Sequence, residues 1–173
     1  VPQLEGNASR YRTRTLGQRT VPLVVRMPYG GGVRALEHHS ESREHLYATI
    51  PGVKVVIPSG PRNARALMVA AIRDPDPVVF MEPKRSYRAF KEEVPEEEEV
   101  MPIGKSHIVQ EGGDITVVAW GAMMVMRSIF PAGLQYTWAK PSQASMVRAL
   151  PKAETGNVPF LVTEGSISLM RLP

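Results

Sequence analysis

Three of the four histidines crowd into one stretch, Glu37-His38-His39-Ser40-Glu41-Ser42-Arg43-Glu44-His45. Adjacent histidines cannot share one face of a helix, and the HExxH spacing of a helical zinc site is absent. A different chemistry fits better. A histidine in the loop between a parallel strand and a helix N-terminus stands where α/β sheets bind ligands. There it could act as a general acid or base, or hold an oxyanion. The plain alternative is a polar surface loop. A second constellation is Ala71-Ile72-Arg73-Asp74-Pro75-Asp76. Carbonyls at a helix C-terminus lack intrahelical partners and carry partial negative charge. Two aspartates beside them could complete an oxygen cage for a hard cation, or simply form the turn that stops a helix. A third is Arg10, Tyr11, Arg12, Arg14 and Arg19, a mixture of basic and aromatic residues able to meet RNA or phosphate. No nucleic-acid fold motif accompanies it.

Other chemistries are excluded. The 173 residues contain no cysteine, so disulfides, thiolate metal sites and cysteine nucleophiles are out. Neither GxSxG nor SxxK occurs, and neither does a Walker A or GxGxxG phosphate cradle.

The elements that must position these residues follow from periodicity. Val21–Met27 reads as a strand running into the loop Gly30-Gly31-Gly32, where positive φ costs little. Ser40 to Ile50 reads as a helix, capped by Ser40 or Ser42, with Glu44 in its first turn and Pro51-Gly52 as its stop. Val53–Ile57 is a β-branched run suited to a buried strand. Ser59 and Pro61 open the clearest helix, with Ala64, Leu67, Met68, Ala71 and Ile72 on one apolar stripe. Asp74-Pro75-Asp76-Pro77 ends it, and Val78–Met81 is the next strand. Strand, loop, helix, strand, helix, strand predicts a parallel sheet covered on both faces.

From Glu82 to Gly104 the period is lost, and the acidic block Glu92-Glu93 and Glu96 to Glu99 reads as a solvated domain linker. Ser106–Gln110 and Ile115–Trp120 then open a second α/β unit, with Phe160–Thr163 as a late strand. Charge is uneven. Residues 1–91 carry +8 and residues 92–173 carry −4, within a total of +4, which suggests a positive surface facing an anionic partner, ligand or subunit. No run of about 18 apolar residues marks a membrane span.

Seven blocks occur in one order with compact spacing: NASRYR, VPLVVRMPYGGG, HHSES, PGVKVVIPS, AAIRDPDPVVFMEPKRSYR, EEVPEEEEVMPIGK and GDITVVAWGAM. Together they closely resemble the beta subunit of thiamine-diphosphate-dependent 2-oxoacid dehydrogenases of pyruvate, branched-chain or acetoin type. The resemblance runs from Asn7 to Met124, about two thirds of the chain. EPKRSYRAF leans toward branched-chain and prokaryotic members. The fold it implies is α/β and transketolase-like. Residues 1–83 would be the C-terminal part of the pyrimidine-binding domain, 84–104 an acidic linker, and 105–173 part of the C-terminal transketolase domain. The implied reaction is oxidative decarboxylation of a 2-oxoacid with acyl transfer to lipoyl groups.

The same resemblance implies thiamine diphosphate with Mg²⁺ held largely by an alpha subunit, in an alpha2beta2 heterotetramer that serves a dihydrolipoyl acyltransferase core. It places His39 in the active site, orienting or protonating the substrate or lipoyl group. Ser40 matches the family's HSQ-like loop, while Glu41 replaces its glutamine and His38 an apolar or tyrosine position. It also implies a structural potassium ion held by Leu23, Ala71, Ile72, Asp74 and Asp76, the first three through main-chain carbonyls. The family's glutamate that activates the cofactor lies upstream of Val1, so this chain alone is expected not to activate it. Beyond Met124 the resemblance fades, and TWAKPSQASM replaces the family's pattern. The chain is expected to be an internal piece of the subunit or a truncated copy. Two other functions fit the sequence: a non-catalytic partner-binding domain of the same ancestry, and RNA binding. A cytoplasmic home is expected, or the mitochondrial matrix in a eukaryote.

Overall fold

The computed structural model describes residues 2–31, 33, 34, 37, 40–105, 115–118, 120–123, 135–137, 150, 151 and 169–171. The expected strands at 106–110 and 160–163 lie outside these residues. Helices α1 (Pro2–Gly6) and α2 (Tyr11–Arg14) flank a 3₁₀ turn at Ala8–Arg10. Then come β1 (Val24–Tyr29), α3 (Glu44–Ala48), β2 (Lys54–Val56), α4 (Pro61–Arg73), β3 (Val78–Pro83) and a 3₁₀ turn at Lys84–Arg88. The three strands form a parallel sheet of order β1-β3-β2. Val24 pairs with Val78, Met27 with Met81, and Lys54 with Val78. Pro28 sits opposite Glu82 near the end of β1, where a missing N–H is tolerated.

Strand alternation sends β3 to two cores. Val79 and Met81 enter a cluster with Tyr29, Tyr47, Ile50, Val55, Ile57 and Trp120, against which Leu4 packs. Val78 and Phe80 enter the other, with Val56 and with Leu67 and Ala71 of α4. Both faces of the sheet are therefore covered, as the all-apolar strands require. The apolar stripe of α4 differs from its expected membership in one position. Ile72 is 64% exposed, while Ala66 is buried. Helical spacing alone does not fix which edge of a stripe meets the sheet.

Two expectations are corrected. The first concerns the helix expected from Ser40, which begins only at Glu44, with no side-chain cap. Glu41 is held away from helical geometry because its carbonyl accepts the Gly30 N–H at 3.0 Å, and the Ser42 hydroxyl turns to Tyr29. Likewise Ser59 does not cap α4; Asn63 Oδ1 accepts the Ser59 N–H at 3.0 Å instead. The second concerns the acidic run, which lies along α4, although Glu92, Glu93 and Glu96 to Glu98 stay exposed as expected. Arg62 grips Glu99, with one bond at 2.7 Å. Arg73 grips Glu98 at 2.6 and 3.0 Å. Arg65 donates to the carbonyls of Pro95, Glu96 and Glu97, and Arg62 N–H reaches Glu92 at 3.0 Å. Met101 N–H then joins the Ala66 carbonyl at 3.4 Å, and Met101 and Ile103 pack on the second core.

Downstream, β4 (Ile115–Val118), β5 (Gln135–Thr137), β6 (Leu150–Pro151) and β7 (Leu169–Arg171) form a second sheet of order β6-β4-β5-β7. Its β4–β5 pair is parallel, and β6 and β7 join antiparallel.

Candidate functional site

The carboxyl ends of β1 and β3 form the wall of a small cleft, where α/β sheets place ligands. The chain leaves β1 at Gly30, whose φ of 89° suits glycine. It returns through residues 40–43 into α3. Met27, Tyr29, Tyr47 and Met81 line a space of about 220 Å³, joined by Glu41 and Arg43. These last two pair with each other at 2.6 Å, so the cleft combines an apolar lining with a closed charge pair.

Behind that wall lies a buried polar triad. Tyr29 OH donates to Glu44 Oε1 at 2.7 Å, and Trp120 Nε1–H reaches Tyr29 OH at 3.4 Å. Burial pushes the Tyr29 hydroxyl well above its ordinary pKa, and the bond to Glu44 and its charge push the same way. Hydrogen bonds from Trp120 and Ser42 oppose this weakly. Glu44 Oε2 is buried and has no partner among the described residues. His39, the expected catalytic residue, and its neighbour His38 lie outside the described residues.

The expected potassium ligands gather at the opposite end of β3. Leu23 O accepts the Val78 N–H at 2.8 Å, and Ala71 O accepts the Asp74 N–H at 3.3 Å. Asp74 Oδ1 accepts the Asp76 N–H at 2.9 Å. Both Asp74 oxygens hold Lys54 Nζ, at 2.7 and 2.8 Å. Asp76 Oδ2 lies 3.4 Å from Lys54 and 3.0 Å from Arg12 Nη1. The carboxylates thus have their counter-charge from the protein. Any further cation there would draw on main-chain carbonyl oxygens. Among the described residues no group of three or more histidines and acids converges as a metal site.

Arg12 is accordingly a structural arginine, not part of a free basic surface. Nearby, Ser9 is buried against the turn before β2, and a Cβ on Gly52 would stand 2.2 Å from the Ser9 carbonyl. At the outer edge, Glu82 accepts from Arg26 Nε at 2.5 Å and from the Tyr87 hydroxyl. Burial raises the Glu82 carboxyl, but the bonds from Arg26 and Tyr87 outweigh it and hold the group below its usual range.

Sequence reasoning missed Tyr29, Lys54 and Trp120, and read Glu44 only as a first-turn acid. One signal was present: Tyr29 immediately precedes the glycines and Glu44 opens the next helix, so the two had to meet if the loop closed. The lone lysine in VKVVI was a second.

The match to known proteins follows this geometry. The transketolase pyrimidine-binding domain family matches residues 6–90, which span the three-stranded sheet and the cleft. Residues 6–90 are a transketolase-type pyrimidine-binding domain. The pyruvate dehydrogenase E1 component subunit beta of Acholeplasma laidlawii is 60% identical over 118 residues, 68% of this chain and 36% of that protein. Its counterpart in Mycoplasma genitalium is 50% identical over 122 residues, 70% of this chain and 37% of its own length. That of Staphylococcus aureus is 46% identical over 121 residues, again 70% and 37%. The chain therefore shares just over two thirds of its own length with these beta subunits and spans just over a third of theirs. Among the described residues no helix is long and apolar enough to cross a membrane.

Proposed function

We propose that this chain is beta-subunit sequence of a pyruvate dehydrogenase E1 component, acting with an alpha subunit in the oxidative decarboxylation of pyruvate and acetyl transfer to lipoyl groups. The observation that carries this is the 60% identity over 118 residues to a protein of that name. The family match over residues 6–90 includes every residue that lines the cleft. The alpha partner, an alpha2beta2 arrangement, the acyltransferase core and a cytoplasmic setting belong to the same reading, as does pyruvate over branched-chain 2-oxoacids.

Thiamine diphosphate with Mg²⁺, when bound, supplies the electron sink for loss of carbon dioxide. The chain's own residues do the rest. Met27, Met81 and Tyr47 keep one side of the cleft dry, and His39 holds or delivers a proton at the substrate or lipoyl group. Gly30 N–H is already taken by Glu41 O, so it offers no phosphate donor, in keeping with a diphosphate held by the alpha subunit. A potassium ion at the Asp74–Asp76 turn would be held by the carbonyls of Leu23, Ala71 and Ile72.

The test is reconstitution of the full chain with an alpha subunit. Co-elution and calorimetric binding of thiamine diphosphate are expected, with pyruvate-dependent lipoyl acetylation once the beta subunit also carries the upstream segment with the activating glutamate. His39→Ala should then cut acetylation by about 10²–10⁴-fold, the range of a general acid–base group. Absence of any complex would overturn the enzymatic reading in favour of a non-catalytic domain of this ancestry. Salt-dependent retention on RNA in place of the alpha subunit would overturn it in favour of RNA binding.

A further inference from the structure

We propose that Tyr29 and Glu44 are positioning residues: their hydrogen bond fixes residues 40–44 against the end of β1 and so sets the cleft wall that carries Glu41 and Arg43. This rests on the cleft being the functional site.

Tyr29 is the last residue of β1 and Glu44 the first of α3. Fifteen residues apart in sequence, they close the intervening loop at its base with one bond of 2.7 Å. A second tie lies just inside it, Gly30 N–H to Glu41 O at 3.0 Å. Glu41 and Arg43, the charged pair of the cleft, sit between these two ties. Their place relative to Met27 and Met81 therefore depends on both. Tyr29 is itself a lining residue, so the group that ties the loop also shapes the space. Trp120 adds a third corner from the downstream segment, its Nε1–H reaching Tyr29 OH at 3.4 Å.

The bond is a poor device for stability alone. Glu44 gives one oxygen to Tyr29 and leaves the other buried without a partner among the described residues. An unpaired buried carboxylate oxygen offsets much of what a hydrogen bond to a charged group returns. An apolar pair would fill the same space without that cost. What the polar pair adds is direction: a single donor and a single acceptor define one seating of residues 40–44, as buried polar groups do elsewhere when they select one arrangement among several.

The experiment is a double-mutant cycle read by amide hydrogen exchange on the full chain. Tyr29→Phe and Glu44→Met should each speed exchange of residues 40–47 by about three- to tenfold, the fold-change equivalent of one hydrogen bond. The double variant should add little beyond either single one. Glu44→Gln, which keeps an acceptor for the tyrosine, should restore near-native protection. In all four, amides of β3 should stay as protected as in the parent. Additive effects of the two substitutions would overturn the proposal, and so would unchanged exchange at 40–47. Equal loosening of β3, or no rescue by glutamine, would overturn it as well, leaving general packing. None of these readouts needs catalysis, so lack of pyruvate turnover in a reconstituted assembly would count against the enzymatic reading and not against the clip.

Discussion

The two faces of the three-stranded sheet are held by polar groups in opposite ways. On the Trp120 face the contacts are few, buried and uncharged on one side: Tyr29 to Glu44, and Trp120 to Tyr29. On the α4 face they are many, exposed and ionic. Arg62, Arg65 and Arg73 reach the glutamate strap, and the arginine and glutamate of the Arg73–Glu98 pair are each more than half exposed. Water competes with the second kind and not with the first. Exposed ion pairs are worth about 0–1 kcal/mol each and are screened by salt. A buried hydrogen bond returns only about 1 kcal/mol, but its geometry is exclusive. The strap therefore holds as a cooperative set that tolerates losses, whereas the Trp120 face depends on single groups.

The largest effects should come from what the faces share. Phe80 and Met81 are neighbours on β3 that point into different cores and are almost fully buried. Phe80→Ala should cost about 3–5 kcal/mol and Met81→Ala about 2–5 kcal/mol in urea denaturation. If the faces are one cooperative unit, each variant unfolds in a single transition; two transitions in either would separate them. Next comes Gly52→Ala. The positive φ alone costs about 1–2 kcal/mol for a residue with a Cβ, and the methyl would also displace Ser9. Exchange should rise around Leu4 and Ser9 on the Trp120 face and remain unchanged along the strap. A rise at 92–101 would break the division.

Smaller losses are expected from the strap. Arg73→Ala should lower stability by no more than about 1 kcal/mol. The strap's protection against proteolysis should fall when NaCl rises from about 0.1 to 1 M, as the Debye length shortens from about 10 to 3 Å. Protection of residues 40–47 should not change over the same range. Finally, the faces should fail at opposite ends of the pH scale. Hydrogen bonds and the charge of Arg62 hold Glu99 below the usual carboxylate range. A carboxyl depressed on folding stabilises above its unfolded pKa of about 4.3, and that contribution disappears as pH falls through the folded value. The strap should therefore loosen in acid. Tyr29 is raised, first by burial and then by Glu44. Its contribution is complete below the unfolded pKa of about 10 and is lost as pH rises through the folded value. The clip should therefore loosen only in alkali. Side-chain NMR titration of both groups checks the signs.

The same contrast explains what could be read from sequence. Strands β1 and β3 were legible as apolar runs and helix α4 by its period, with Pro61 opening the helix and Pro77 preceding β3. The Asp74–Pro77 turn was legible as a stop, and the Val78–Leu23 bond places Leu23 beside it. The strap was not legible. Its partners lie 25 to 37 residues away on α4, and a glutamate run has no period to betray a docked face. Helix α3 was placed too early because Ser40 and Ser42 look like caps. Propensity yielded to the Gly30–Glu41 tie and to Tyr29, both set by the tertiary fold. Ile72 shows the same limit within a well-predicted helix: spacing assigned it to the stripe, but the sheet takes Ala66 instead.

The N-terminal helices make contacts that set a timetable. Ser9 seats on Gly52, and Arg12 pairs with Asp76, 64 residues further along. As the chain emerges from a ribosome at about 5–20 residues per second, α2 waits roughly 3–13 s for its aspartate to be made. Through that interval Arg10, Arg12 and Arg14 are unaccompanied by the acids of the α4 turn, and Leu4 has no core to enter. Helices α1 and α2 therefore cannot settle until the chain has been made through Asp76.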